Sequence, residues 1–121
     1  MKRILFALSI SFMLTACDSK PEAPEDILPE DKMKAILIDM HLAEASVSVQ
    51  NQAPAKGTAL YEKLEKEIFV THAVDSAVFN KSQQYYLEND LEAMQSIYKQ
   101  VTDSLKSRQE EAEALKSKKK K

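Results

Sequence analysis

The scarcity of turn-forming residues after residue 30 is the feature that most limits how this chain can fold. The sequence has one glycine, Gly57, and four prolines, three of which come before residue 30. Tight hairpins depend on glycine and asparagine turns, and the chain from Asp31 onward contains no hairpin dipeptide. We therefore expect an all-α fold: a small bundle of three to four helices with a long C-terminal helix.

The N-terminal segment has the pattern of an export signal. Lys2 and Arg3 precede an apolar run of 13 residues, 4–16, that ends in small side chains. A membrane-spanning helix needs about 20 apolar residues, so this run is too short for a permanent anchor. Leu14-Thr15-Ala16-Cys17 resembles the lipobox of bacterial lipoprotein precursors, which implies lipid on Cys17. The alternative is an ordinary secretory signal followed by an incidental cysteine.

The domain boundaries follow from this pattern. Residues 1–16 are expected to be a lipoprotein signal peptide, and 17–28 a lipidated cysteine with a flexible acidic tether. About ten extended residues at roughly 3.1 Å each hold a domain on the order of 30 Å from the bilayer. A helical domain is expected over 29–106, followed over 107–121 by a charged helical extension and a disordered lysine tail. The tail, 118–121, is either solvated or in contact with anionic headgroups.

Four segments have apolar residues at helical spacing. The first, predicted over Glu30–Val49, is apolar on so much of its surface that we expect it at the centre of the bundle. A loop over 50–57 should precede a second helix from about Thr58 to His72. Asp75 is the expected N-cap of a shorter third helix, and Asn89-Asp90 should end that helix and cap the fourth.

The fourth helix has a seam that steps by three and four residues. Its members are Leu91, Met94, Tyr98, Val101 and Leu105. Beyond them the spacing persists while the hydrophobicity fades, so the last turns should project from the core. A seam of this kind also predicts a candidate homo-oligomer through residues 91–115.

Charge argues against a nucleic-acid partner. The formal charge is −2, but seven of the 17 cations lie in 1–16 and 116–121, which leaves 10 cations against 19 acidic residues in 17–115. That part of the chain therefore carries −9. Phosphate binding requires clustered lysine and arginine, so we expect no nucleic acid to bind there.

Three polar residues lie in the most apolar helix: Asp39, His41 and Glu44. His41 and Glu44 are three residues apart and share a face. One histidine and one carboxylate do not fill the coordination shell of a metal, and His72 would have to arrive from the second helix. We therefore expect no metal and no cofactor, and treat the three as a candidate binding surface or a polar helix edge.

Tyr85 and Tyr86 are a second candidate binding surface, because tyrosine offers broad contact area with a polar tip. Adjacent helical residues point about 100° apart, so we expect one ring in the core and the other half exposed. Ser82, one turn earlier, is expected to allow close helix approach rather than to act as a nucleophile. Neither a nucleophile elbow nor a Ser/His/Asp set is visible, and the sequence predicts no enzyme.

Several segments together resemble one family. They are Ile27 to Met33, Ile36 to Ala45, Val74 to Ser82, Tyr85-Tyr86, Met94, Ile97-Tyr98 and Val101. This combination resembles the domain of unknown function 4296 family, small helical lipoproteins of Bacteroidota, over roughly residues 27–106. The resemblance implies a helical domain in the cell envelope. The family has no assigned activity, so it implies no catalytic residues.

The sequence therefore predicts an envelope lipoprotein, anchored in the membrane through lipid on Cys17, most readily in the outer membrane on its periplasmic or surface face. Its domain is expected to be a non-catalytic module that binds or assembles with another envelope protein. A structural, self-associating lipoprotein is the alternative. An enzyme is a third and weaker interpretation.

Overall fold

The computed structural model describes residues 23–50 and 53–119. Within these ranges the chain forms four α-helices: α1 (Glu30–Val49), α2 (Pro54–Thr71), α3 (Ser76–Asn89) and α4 (Leu91–Lys119). The described part contains no β-strand, which confirms the predicted all-α bundle with a long C-terminal helix.

The first helix is central, as its apolar surface predicts. It has the expected bounds, Glu30–Val49, and packs against α2, α3 and α4. Pro29 precedes it in an extended conformation, and Glu30 and Asp31 lie in its first turn, where carboxylates stabilise the positive end of the helix dipole. Six of its side chains are buried: Met33, Ile36, Leu37, Ile38, Met40 and Ala43.

The second helix begins earlier than its pattern indicates. We expect a loop over 50–57, but α2 starts at Pro54. Proline is tolerated in the first turn because its missing N–H has no helical partner there. Pro54 therefore initiates the helix, and Gly57 is buried in its first turns beside α1, where an added Cβ would lie 3.4 Å from Val47 Cγ1.

The link between α2 and α3 turns through Ala73, whose φ of 52° lies in the left-handed region. This geometry lets Val74 N donate to Phe69 O at 3.0 Å, which satisfies a carbonyl at the end of α2. Glycine is the usual residue at such a position because an L side chain is strained there. Because position 73 is alanine, the sequence does not predict a left-handed residue at this turn.

Both predicted N-caps are confirmed. Asp75 Oδ1 accepts a hydrogen bond from Ala77 N at 2.7 Å at the start of α3. Asp90 Oδ1 accepts one from Ala93 N at 3.0 Å at the start of α4. Each carboxylate thereby satisfies an N–H that has no partner inside its helix.

The buried face of α4 differs from the expected seam. Met94 and Val101 are buried as predicted, but Leu91 is 54% exposed and Tyr98 39% exposed, while Ile97 is fully buried. The buried face is rotated relative to the expected seam because α4 packs against both α1 and α3. Packing against both helices buries Ala93 and Ile97.

The end of α4 is longer than expected. Residues 107–119, here called the arm, are helical and exposed throughout. Lys118 and Lys119, for which we expect disorder, form the last turn of the helix. Cations at a helix C-terminus stabilise its negative end, which favours this extension. Residues 120–121 lie outside the described part of the chain.

Part of the expected tether is folded against the domain. Residues 23–28, here called the strap, include a turn in which Ile27 N donates to Pro24 O at 2.9 Å. Ile27 is only 7% exposed and belongs to the core, with Ala23 and Leu28 packed against it. The prediction of a flexible tether to residue 28 is wrong over this stretch, because Ile27 and Leu28 gain burial by returning to the core.

Candidate binding surfaces

Asp39 makes a contact between helices. Its Oδ2 lies 2.7 Å from Nε2 of His72, the residue that caps the end of α2. The His72 side chain is mostly buried, and the Asp39 side chain is 40% exposed. The pair fixes the end of α2 against the middle of α1, which makes it a structural contact as much as a surface group.

His41 and Glu44 pair with each other, as their spacing predicts. His41 Nδ1 lies 3.0 Å from Glu44 Oε2, and both side chains are substantially exposed. Burial raises the pKa of Tyr61 on α2, and the negative charges of Glu44 and Glu65 add to that increase. Glu44 therefore lies at the border between α1 and α2.

The three polar residues of α1 do not form one surface. Asp39 and His41 are two positions apart and so point about 200° apart around the helix. Asp39 borders a groove of about 360 Å³ between α1 and α2, whereas His41 borders one of about 330 Å³ between α1 and α4. Among residues 23–50 and 53–119, no three His, Cys, Asp or Glu side chains are grouped to hold a metal ion.

The groove between α1 and α4, here called the α1/α4 groove, combines apolar and polar groups. Besides His41 it is lined by Tyr98, Val101, Thr102, Leu105, Lys106 and Gln109. The half-exposed Tyr98 phenol accepts a long hydrogen bond, 3.4 Å, from Gln83 Nε2 on α3. An exposed tyrosine ring at the edge of a groove is typical of protein-binding surfaces, in which tyrosine is enriched.

The two tyrosines divide as predicted. Tyr86 is buried and Tyr85 is partly exposed, with ring centroids 5.6 Å apart at 78°. Tyr86 Oη donates to Leu28 O at 2.8 Å. Burial raises the pKa of Tyr86, and the negative charge of Glu30 adds to the increase. Tyr86 is therefore a core residue that contacts the strap, and only Tyr85 is available to a partner.

Ser82 has a structural role that its neighbours in sequence do not indicate. It is fully buried, its Oγ accepts from Leu28 N at 2.8 Å, and it donates to Val78 O at 2.7 Å. Asp26 of the strap pairs with Lys81, which directly precedes Ser82 in α3, and the hydrogen bond from that lysine lowers the pKa of Asp26. Strap and α3 are thus joined by two hydrogen bonds, between the backbone of Leu28 and the hydroxyl groups of Ser82 and Tyr86, and by one exposed ion pair.

Cys17 and the rest of the lipobox lie outside the described residues. None of the described helices is both long enough and apolar enough to span a bilayer. The candidate sites that the structure does describe are the α1/α4 groove, the partly exposed Tyr85 and the arm.

The comparison with known families covers nearly all of the described chain. A model described as Domain of unknown function (DUF4296) matches residues 24–111. The chain belongs to this family. No curated protein and no solved structure gives a significant match. The match starts at Pro24 in the strap and ends at residue 111, so the DUF4296 domain includes nearly all of the strap and the first five residues of the arm, and extends beyond the expected 27–106.

Two contacts of this DUF4296 domain are not predicted by its sequence pattern. The Asp39–His72 pair joins residues 33 positions apart, and the Ser82–Leu28 bond joins residues 54 apart. The histidine in the capping position after α2 was a weak signal for the first. For the second, the apolar pair Ile27-Leu28 directly before Pro29 was a signal that the chain already packs there.

Proposed function

We propose that this protein is an envelope lipoprotein, anchored by lipid on Cys17, whose DUF4296 domain binds another envelope protein without catalysing a reaction. The observation that carries the proposal is the sequence Leu14-Thr15-Ala16-Cys17 at the end of a basic and then apolar segment of signal-peptide length. Each buried acyl CH₂ contributes about 0.8 kcal/mol, and two chains give stable anchoring where one gives marginal binding.

Binding as the activity of the domain is supported by its exposed groups. The α1/α4 groove offers Tyr98 and Leu105 beside Lys106. Tyrosine contributes large contact area at low entropic cost, and such residues dominate the energetics of protein interfaces. The arm extends the same helix, so one partner helix or loop can contact the groove and the arm together.

Self-association is the second candidate, and α4 supplies the observation in its favour. Leu91, Tyr98 and Leu115 are exposed along this one helix, at 54%, 39% and 63%. Pairing of α4 with a copy of itself through residues 91–115 would cover them. Light scattering on the lipid-free protein, intact and ended at Leu105, tests this: a monomer in both forms rules out self-pairing.

The anchor is tested by metabolic labelling. We expect palmitate label in the wild-type protein, in the outer-membrane fraction of a density gradient, and none in Cys17→Ala. Labelled Cys17→Ala protein would refute lipidation at this residue. Label in the inner-membrane fraction alone would refute the outer-membrane location and leave the anchor intact.

The binding surface is tested by photocrosslinking in cells. A photoreactive amino acid is placed at Thr102 or Gln109, which line the α1/α4 groove, or at Lys63, on the exposed surface of α2. We expect one discrete crosslinked partner from the groove positions and none from position 63. A crosslinked homodimer would favour self-association, and equal products from all three positions would refute a specific groove.

A further inference from the structure

The strap determines where the chain leaves the domain. Leu28 is held by partly buried hydrogen bonds to Ser82 and Tyr86, and Ile27 is in the core. Pro24 lies against the last turns of α3, in a shallow groove that Glu88 and Asn89 also line. The path toward the N-terminus therefore starts beside the end of α3.

Three helix ends meet at this place, here called the strap end. The strap leads directly into α1, α3 ends at Asn89, and α4 begins two residues later at Leu91. Asp90 N donates to Tyr86 O at 3.1 Å, which ties the start of α4 to the residue that contacts the strap. The strap end thus contains the beginnings of α1 and α4.

From the strap end, α4 runs parallel to α1. Lys34 Nζ near the start of α1 donates to Gln100 Oε1 at 3.1 Å. Two turns further, His41 shares a groove with Leu105 and Gln109, so both helices advance in the same direction. At 1.5 Å per residue, the 29 residues of α4 measure about 44 Å, and the arm is at the far end.

Only five residues, 18–22, separate Cys17 from the strap. Six Cα–Cα steps span at most about 20 Å even when fully extended. A lipid on Cys17 therefore keeps the strap end within that distance of the bilayer surface, while the arm begins more than half the length of α4 away from it.

We infer that the DUF4296 domain is oriented on the membrane, with the strap end facing the bilayer and the arm pointing away from it, where a partner can reach it. This inference rests on the proposed lipidation of Cys17. The strap clamp, the parallel packing of α1 and α4 and the short link to Cys17 together fix the direction.

The link to Cys17, and not charge, sets this orientation. In the two stretches that form the strap end, 23–34 and 81–92, seven acidic residues face three basic ones. Anionic headgroups repel such a surface, so the tether holds the strap end near the bilayer and the strap end does not insert. Residues 107–121 include six basic and three acidic residues, and their net charge of +3 attracts anionic lipid, an attraction that salt screens. An arm lying on anionic lipid is therefore the arrangement that competes with this orientation.

Fluorescence quenching by lipid headgroups tests the orientation. The lipidated, full-length mature protein is placed in vesicles of phosphatidylethanolamine and phosphatidylglycerol that contain a headgroup-labelled quencher lipid. Lipid on Cys17 blocks its own thiol, so a cysteine introduced by Glu88→Cys or Ser117→Cys is the one reactive site for a fluorophore. Both positions are exposed, one at the strap end and one in the arm.

We expect fluorescence loss at position 88 and none at position 117. Equal loss at both positions, or loss at 117 alone, would overturn the orientation. A loss at 117 that appears with phosphatidylglycerol and disappears in vesicles without it would also overturn it and would show the arm lying on anionic lipid. Flotation of the vesicles is measured on the same samples. Protein that does not float overturns the anchor as well, whereas floating protein quenched at 117 overturns the orientation only.

Discussion

Replacing Ser82 with alanine should detach the strap from α3. Ser82 is 0% exposed, and its Oγ accepts the hydrogen bond of Leu28 N at 2.8 Å. In Ser82→Ala that N–H keeps no partner from α3, and a buried donor without a partner costs about 1–3 kcal/mol. Alanine is a better helix former than serine by a few tenths of a kcal/mol, which offsets a small part of the loss.

The net expectation is a loss of about 1–2 kcal/mol in the free energy of unfolding. In a domain of this size each kcal/mol lowers Tm by roughly 4–8 °C. The assay is urea unfolding of the lipid-free protein, followed by circular dichroism. Ser104→Ala is the matched control, because Ser104 Oγ makes the same bond to the carbonyl four residues earlier, at 2.7 Å, on an exposed face. We expect that change to stay within about 0.5 kcal/mol of wild type.

A double-mutant cycle shows whether the strap is the reason. In a form that begins at Pro29, Leu28 is absent, so Ser82→Ala should cost no more than about 0.5 kcal/mol. If the substitution costs the same with and without residues 23–28, the bond to the strap is not what Ser82 contributes. A loss below 0.5 kcal/mol in the intact domain would refute the reasoning directly.

Three further predictions concern single contacts. Burial raises the pKa of Tyr86 above its unfolded value. The stability that this residue contributes is therefore complete below about pH 10 and is lost as the pH rises through its folded pKa. Tyr86→Phe should reduce the loss of stability between about pH 9 and 11, measured by urea unfolding. His72→Ala should cost about 1–2 kcal/mol by removing the 2.7 Å contact with Asp39, measured by the same assay. Ala73→Gly should raise Tm by the equivalent of about 1 kcal/mol, because glycine adopts the φ of 52° without the strain of a Cβ.

Matched substitutions check each of these. Tyr98→Phe removes a half-exposed phenol and is the matched control: an alkaline profile that changes as much as in Tyr86→Phe would show that burial of Tyr86 is not the cause. His41→Ala removes an exposed pair and should change stability by less than about 0.5 kcal/mol, so an effect as large as that of His72→Ala would contradict the distinction between the two histidines. Ala59→Gly, in the exposed interior of α2, should lower stability by about 1 kcal/mol. A loss of the same size in Ala73→Gly would show that the turn does not require a left-handed residue.

Local signals predicted most of the helical architecture. The bounds of α1 and the caps at Asp75 and Asp90 depend on residues within one turn of each other, and these predictions are confirmed. The predicted start of α2 was wrong, because a proline interrupts a helix in its interior but initiates one in its first turn, where Pro54 lies. Which of these applies depends on whether the next residues are packed, and Gly57 is packed against Val47.

The candidate surfaces were less predictable than the helices. Asp39, His41 and Glu44 were grouped because they are close in sequence, but the first binds His72 while the other two bind each other. Tyr98 was expected in the seam of α4 and instead borders the α1/α4 groove. Neighbouring positions on a central helix face different partners, and those partners are not encoded near them.

The sequence by itself determined the helical class, the central place of α1, the caps and the signal that points to lipid on Cys17. Each of these depends on spacing or chemistry within a few residues, which the chain carries with it before it folds. Only the tertiary structure decided that residues 23–28 are a strap, that Ile97 replaces Tyr98 in the core, and that the arm points away from the strap end. These depend on contacts between residues more than 50 positions apart, such as Leu28 with Ser82 and Lys34 with Gln100. Such pairs form because the helices compete for one small core, and that competition has no local signature.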